Sequence, residues 1–214
     1  MSTLEEPGGT CHERARRAVF GYVAPAILHE TNNVLTVMAG VRQLLRAGQA
    51  LSERVGTMID QQLARMEALV GAIRRVGPEE NEPPENARDA SFVADAVSGI
   101  VSVVGKGRGL LLERESSRSE ARPGDAEALA LATLCIVLPA LPPRGGSAGT
   151  KIALRAADNE KEARIEIEIA SIEGDPSREP EFELARALMA RVGGRLDCRI
   201  DAGTLHAAAA VPRR

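Results

Sequence analysis

A short segment of mixed polar and apolar residues carries the chemistry that this sequence could perform. Residues 27–37 read ILHETNNVLTV. His29 and Asn33 are four residues apart, which places both on one face of a helix, and Glu30 follows His29 directly. A carboxylate beside an exposed imidazole can hold one ring nitrogen protonated and leave the other free as a nucleophile. The same residues are also typical of a plain solvated helix face, so both interpretations stay open at this point.

Two long helical patterns surround this segment. Apolar residues recur at three- and four-residue spacing over residues 10–47, where Thr10 and Glu13 predict a capping box and Pro25 predicts a bend. After a short connection, a second pattern covers residues 51–76. This arrangement predicts an antiparallel helical hairpin, and a two-fold dimer that forms a four-helix bundle would bury both apolar stripes. Inward positions are expected for Ile27, Val34, Val37 and Met38, which leaves His29 in solvent.

The amino-acid composition of the chain changes after the second helix. Residues 77–89, GPEENEPPENARD, are acidic and proline-rich, as is typical of a linker. Beyond it, helices are predicted at Ser91–Val104, Asp125–Leu138 and Glu181–Val192, and strands at Gly109–Glu115, Lys151–Ala156, Ala163–Ala170, Arg195–Ile200 and Thr204–Val211. The sequence therefore predicts an α+β fold, with the helical hairpin at 10–76, a linker at 77–90 and an α/β sandwich at 91–214 whose helices share one face of the sheet.

Composition argues against several classes of function. Aromatic residues make up 2% of the chain and there is no Trp, which argues against nucleic-acid binding by base stacking. The net charge of −3 provides no basic field for DNA or a membrane. No stretch approaches the roughly 18–20 apolar residues of a membrane span, and the N-terminus lacks a signal peptide's apolar core. Three scattered cysteines indicate neither a disulfide scaffold nor a zinc site, and predict a cytoplasmic location.

The sequence HETNNVLTVMAG, which begins at His29, resembles the H-box of histidine kinases, whose common form reads HELNNPLTVI. The resemblance implies that His29 is the phosphoaccepting histidine and that Glu30 is the acid beside it. It also implies that Asn33 is the polar residue that supports autophosphorylation or dephosphorylation of the partner. Val34 departs from the family's usual proline, while Pro25 lies one turn before the histidine. The first helix of a hairpin is where the family's dimerisation and phosphotransfer domain carries this motif.

The second half resembles the Bergerat-type ATP-binding domain of the same kinases in a degenerate form. The helix after Asp125 resembles the N-box helix, but Cys135 and Pro139 stand at its two asparagine positions, and proline offers no oxygen to magnesium. The adenine-binding DxGxG turn is replaced by ASIEGD at 170–175, and the phosphate-cradling glycines by EPEFELARAL at 179–188. The ending RVGGRLDCRIDAGTLHAAAAVP still resembles the family's HGGRIEVESEPGKGTTFTLTLP. We therefore expect this chain to bind no nucleotide, other cofactor or metal.

The resemblance implies a homodimeric histidine phosphotransferase without autokinase activity. Such a protein relays a phosphoryl group between the aspartates of response-regulator receiver domains through His29, and the receiver supplies Mg²⁺. The hairpin carries nine arginines against five acids, which favours an acidic receiver as partner but also serves ordinary helix solubility. Two alternatives remain: a non-catalytic pseudokinase that binds and regulates a receiver or a kinase, and a divergent kinase that still uses ATP. Of the remaining histidines, His12 is expected to be solvated and His206 structural.

Overall fold

The computed structural model describes residues 10–48, 52–76, 89–106, 108–115, 122–142, 149–172, 175 and 178–213. Its elements are α1 (Cys11–Arg46), α2 (Glu53–Val76), α3 (Ala90–Val104), β1 (Leu111–Glu115), α4 (Ala126–Val137), β2 (Lys151–Asp158), β3 (Glu162–Ala170), α5 (Pro180–Arg191), β4 (Arg195–Asp201) and β5 (Thr204–Pro212). All ten were predicted from the sequence, with ends that differ by at most two residues. The predicted linker falls almost entirely on residues 77–88, which lie outside the described residues.

Helix α1 begins as its sequence predicts. The hydroxyl of Thr10 accepts from the backbone N–H of Glu13 at 3.3 Å, and the Glu13 carboxylate accepts from the backbone N–H of Thr10 at 2.8 Å. This reciprocal capping box satisfies N–H groups that have no partner inside the helix. The helix then continues through Pro25 to Arg46. Helices α1 and α2 contact each other, while the antiparallel hairpin, the dimer and the domain boundaries stay predictions.

The five strands form one mixed sheet in the order β1-β2-β3-β5-β4. The β1–β2 pair is parallel and the other pairs are antiparallel. Burial alternates along β3, because successive side chains of a strand point to opposite faces. Its isoleucines, Ile165, Ile167 and Ile169, are buried, and helices α3, α4 and α5 pack against the sheet. The predicted sheet with helices on one face is therefore confirmed.

Helix α4 lies at the centre of the core. Eleven of its twelve residues are buried, because α4 contacts β3 and β5 of the sheet on one side and α1, α3 and α5 on others. Its N-terminus is capped by Asp125, whose carboxylate accepts from the backbone N–H of Ala128 at 2.8 Å. A helix that is apolar all round is the expected solution for an element enclosed on all sides.

The first half of α1 belongs to this same core. Ala15, Val19, Val23 and Ala26 follow one another at spacings of four, four and three residues, and all are buried. They join the apolar cluster that contains the inward side chains of the sheet. This packing joins the H-box helix to the ATP-binding-like half and sets which way each residue of α1 faces.

Leu129 and Leu111 provide a matched test of the core. Leu129 on α4 is 0% exposed, whereas Leu111 on β1 is 57% exposed. Leu129→Ala should lower the free energy of unfolding by about 2–5 kcal/mol, because it removes buried methyl groups and leaves a cavity. Leu111→Ala should change it by no more than about 0.5 kcal/mol. Chemical denaturation of both variants checks this, and equal losses would contradict the placement of α4.

Candidate functional site

The burial pattern of α1 separates His29 from Glu30. The buried stripe of this helix runs through Val23 and Ala26 and then reaches Glu30, four residues further on. The Glu30 side chain is consequently 6% exposed, while that of His29, next in sequence but about 100° away around the helix, is 52% exposed. His29 therefore faces solvent as predicted. The interpretation of a plain solvated face is wrong for Glu30, because this carboxylate occupies a position in the apolar stripe.

Two of the three residues identified from the sequence, Glu30 and Asn33, lie next to the same ring nitrogen of the third, His29. Nδ1 of His29 lies 3.5 Å from Oε1 of Glu30 and 3.1 Å from Nδ2 of Asn33. Depending on which ring nitrogen carries the proton, Nδ1 either donates to the carboxylate or accepts from the amide. Neither contact uses Nε2 of His29. The geometry thus provides an exposed imidazole with one nitrogen held by two neighbours.

Lys106, which follows α3, completes the environment of Glu30. Its Nζ lies 3.0 Å from Oε1 of Glu30, the same oxygen that faces His29. Burial by itself raises the pKa of Glu30, but the hydrogen bond and charge of Lys106, with a smaller contribution from His29, bring the pKa below its ordinary value of 4.5. Glu30 is therefore an anion at neutral pH. Its other oxygen, Oε2, is buried without a hydrogen-bond partner among the described residues.

A cavity of about 480 Å³ adjoins this ion pair, between α1, α2, α3 and β1. Its lining includes Glu30, Arg65, Ser102, Val103, Lys106 and Leu110. Lys106 was not predicted as a site residue, although the sequence carries one signal for it: it is a lysine between two glycines, directly after a helix. No pattern within one helix connects it to Glu30, which is 76 residues earlier in the chain.

Two positions that the sequence resemblance matches to the nucleotide site of the kinases carry side chains without an oxygen for magnesium. Cys135 is buried on α4, and burial, with a smaller contribution from Glu181, raises the pKa of its thiol to about 12. The thiol is therefore neutral and supplies no oxygen to a hard cation. Pro139 follows the end of α4 and likewise offers no side-chain oxygen. The side chains at both asparagine positions thus lack the donors that magnesium prefers.

Helix α1 also contacts the start of α5, where the kinases have their glycine-rich segment. The hydroxyl of Tyr22 donates to Oε1 of Glu181 at 3.4 Å. Burial, followed by the charge of Glu181, raises the pKa of Tyr22 above 10.0. Glu181 and Glu183 lie in the first turn of α5, where negative side chains complement the helix dipole. Both acids therefore stabilise the N-terminal end of α5.

Two further polar contacts join α1 to the N-terminus of α4. Nε of Arg16 lies 2.6 Å from Oε1 of Glu127, and Nε2 of His12 lies 3.6 Å from Oδ2 of Asp125. The expectation that His12 is solvated is therefore wrong, since its side chain is 23% exposed and faces a carboxylate. His206 on β5 faces Glu168 at 3.7 Å. Neither of these histidines belongs to the His29 cluster.

The comparisons with known proteins agree with this fold. No protein-family model and no curated protein matches the sequence. The histidine kinase domain of the blue-light activated histidine kinase EL346 of Erythrobacter litoralis aligns with a TM-score of 0.51 and 12% identity, over 85% of this chain and 95% of that domain. A bacterial phosphotransferase aligns with a TM-score of 0.54 and 14% identity, over 90% of this chain and 95% of that one. At these identities the similarity establishes the fold, which is histidine kinase-like and of the α+β class.

Two further properties of the described residues concern membranes and metals. None of the described helices combines the length and apolar character that crossing a bilayer requires. Within the same residues, no group of three or more His, Cys, Asp or Glu side chains is arranged to hold a metal ion.

The ion pair of Glu30 predicts a specific pH dependence of stability. The folded state lowers the pKa of Glu30 below 4.5, so the stabilisation is fully present above that pH and is lost as pH falls through the folded value. Wild type should be more stable than Glu30→Gln by about 1–2 kcal/mol at neutral pH, and the difference should shrink in acid. Denaturant unfolding at several pH values measures it, with Glu160→Gln as an exposed control. A difference that does not change with pH would contradict the ion pair.

Proposed function

We propose that this chain is a homodimeric histidine phosphotransferase that relays a phosphoryl group between response-regulator receiver domains through His29. The observation that carries the proposal is the environment of His29: an exposed imidazole whose Nδ1 faces a buried, ionised carboxylate. Among the described residues, Nε2 has no such contact, so it is the nitrogen available to a partner. The similarity of the fold to a bacterial phosphotransferase supports the same function.

The chemical step uses only groups of this chain and of the receiver. Nε2 of the neutral His29 ring attacks the phosphorus of the receiver's aspartyl phosphate, and an N–P bond forms as the P–O bond to the aspartate breaks. The electron pair of that bond leaves on the aspartate carboxylate. The ring gains positive charge as the N–P bond forms, and Glu30 beside Nδ1 stabilises this charge. The reverse step delivers the phosphoryl group to another receiver, whose Mg²⁺ neutralises the phosphoryl oxygens.

Nucleotide has no part in this proposal. Cys135 and Pro139 replace the two asparagines of the N-box, and Tyr22 of α1 contacts the start of α5 through Glu181. In this proposal, the ATP-binding-like half serves as a scaffold for the phosphotransfer helix. A titration with Mg-ATP is therefore expected to show no binding in the low micromolar range. Tight binding would instead favour the divergent kinase that still uses ATP.

His29→Ala should abolish the transfer of label from a phosphorylated receiver while leaving the fold intact. The substituted side chain is half exposed, so the free energy of unfolding should change by no more than about 0.5 kcal/mol. The measurement is acid-labile phosphate on the protein after incubation with a labelled receiver. His206→Ala is the matched control, because it removes a histidine outside the site and should leave transfer unchanged.

Two outcomes of this assay would decide between the functions. Acid-labile phosphate that persists on His29→Ala would contradict His29 as the phosphoacceptor. Binding of a receiver by the wild type without any label would favour the pseudokinase instead.

Glu30→Gln should slow transfer by roughly 10²–10⁴-fold if the carboxylate acts as proposed, and Asn33→Ala should alter transfer or phosphate loss while receiver binding persists.

The dimer is proposed from the apolar side chains that the single chain leaves exposed. Eight large apolar residues on α1 and α2 are 40–63% exposed, namely Phe20, Leu28, Leu35, Met38, Leu45, Met58, Leu63 and Val70. On α1, Leu28 and Leu35 are seven residues apart, as are Met38 and Leu45, which is the spacing of a helix–helix seam. Met38, expected to face inward, is exposed in one chain, and in the proposed dimer a second copy covers it.

The double variant Leu35→Glu, Met38→Glu should be monomeric at micromolar concentration, whereas the wild type should sediment as a dimer. Two carboxylates in an apolar seam would have to be buried unpaired, which disfavours association. Leu111→Glu is the control, because Leu111 is similarly exposed but lies on β1. A wild-type chain that sediments as a clean monomer would contradict the bundle.

A further inference from the structure

We propose that Lys106 is a positioning residue for His29, supplied by the ATP-binding-like half of the chain. It fixes the Glu30 carboxylate so that Oε1 faces Nδ1 of His29, and it thereby selects the ring tautomer that leaves Nε2 free. The consequence for phosphotransfer rests on the proposed function of His29. The effect on the tautomer does not, and it is measured separately below.

The backbone that carries Lys106 is held by several hydrogen bonds. The N–H of Gly105 donates to the carbonyl of Val101 at 2.8 Å and closes the end of α3. The N–H of Lys106 donates to the carbonyl of Val103 at 3.3 Å, and that of Arg108 donates back to Gly105 at 3.0 Å. This turn therefore presents Lys106 from a defined position.

Gly105 is required for this turn. A Cβ atom at residue 105 would lie 2.9 Å from the carbonyl oxygen of Val101 and would overlap the side chain of Leu110. Arg108 fastens the other end of the turn, since its Nη1 donates to the carbonyl of Pro142 at 3.0 Å. A lysine on a mobile tail would contribute little to the orientation of a carboxylate, whereas one on a fastened turn can define it.

The position of Glu30 explains why a cation is needed there. Its side chain is 6% exposed on an otherwise apolar stripe, and an isolated carboxylate in such a place either takes up a proton or turns toward water. Either response would end its contact with Nδ1 of His29. Lys106 removes the need for both, because it pairs with Oε1 at 3.0 Å while the same oxygen stays 3.5 Å from Nδ1.

The ion pair also determines whether Nδ1 of His29 donates a hydrogen bond to Glu30 or accepts one from Asn33. With Glu30 ionised and held in place, Nδ1 carries the proton and donates to Oε1, and a half-turn of the Asn33 amide presents its oxygen to the same N–H. Without the anion, the amide nitrogen of Asn33 at 3.1 Å favours Nδ1 as an acceptor. The proton then moves to Nε2 and the nucleophilic lone pair is lost. Among the described residues, the charged groups of this site are Glu30 on α1, which faces the ring, Lys106 after α3, which pairs with Glu30, and Arg65 on α2, which lines the same cavity.

The test is ¹⁵N NMR of the His29 ring in the full chain, in alkaline buffer where imidazole is neutral. The wild type should show Nδ1–H with Nε2 unprotonated. Lys106→Met should shift the ratio toward Nε2–H, and Lys106→Arg should restore the wild-type ratio because it returns a cation. Lys161→Met, at an exposed lysine between β2 and β3, should have no effect. The amide spectrum of each variant reports whether it is folded.

Transfer from a phosphorylated receiver provides the second readout. Lys106→Met should slow transfer by about 10- to 100-fold at saturating receiver, with receiver binding retained. An unchanged tautomer ratio in folded Lys106→Met would overturn the inference. If that variant does not fold, a wild-type ring that is mainly Nε2–H would overturn it equally. A wild type that never accepts phosphate, with the tautomer shift present, would instead count against the proposed function and leave the role of Lys106 standing.

Discussion

The packing of the first half of α1 against α4 and α5 is the constraint on which the rest of this structure depends. Small side chains, such as Ala15 and Ala26, let the helix approach closely, and Val19 and Val23 fill the space between them. Because a helix is rigid over this distance, burying one face fixes the direction of every later side chain. Glu30 falls on the buried face and His29 beside it in solvent. The environment of His29 is thus set by apolar contacts one to four turns away.

The same contact gives the ATP-binding-like half a structural role, because it orients α1. The polar groups at its edge, Arg16 with Glu127 and Tyr22 with Glu181, fasten α1 to the ends of α4 and α5. An ion pair at a surface contributes little alone, but the two polar contacts lie beside an apolar contact that continues into the sheet. This half acts as a scaffold, since its core orients the helix and the turn after α3 brings Lys106 to Glu30.

Helix α1 uses different faces for different neighbours. One face carries the buried stripe that includes Glu30, and another carries the exposed seam of Leu28, Leu35 and Met38. His29 lies between Leu28 and Glu30 in sequence and therefore at the border between the two surfaces. In the proposed dimer the imidazole would stand at the edge of the bundle, where a receiver could reach it while its carboxylate partner stays enclosed.

The sequence by itself determined the elements of this protein, because capping and apolar periodicity are local properties of the chain. Thr10 with Glu13 marked the start of α1, and the alternation of β3 marked a sheet buried on one face. His29, Glu30 and Asn33 were also found from one motif, since their spacing is that of a single helix. Tertiary structure alone decided their surroundings. The burial of Glu30, its pairing with Lys106 and the pairing of His12 with Asp125 each join segments far apart in the chain, and no local period encodes such contacts.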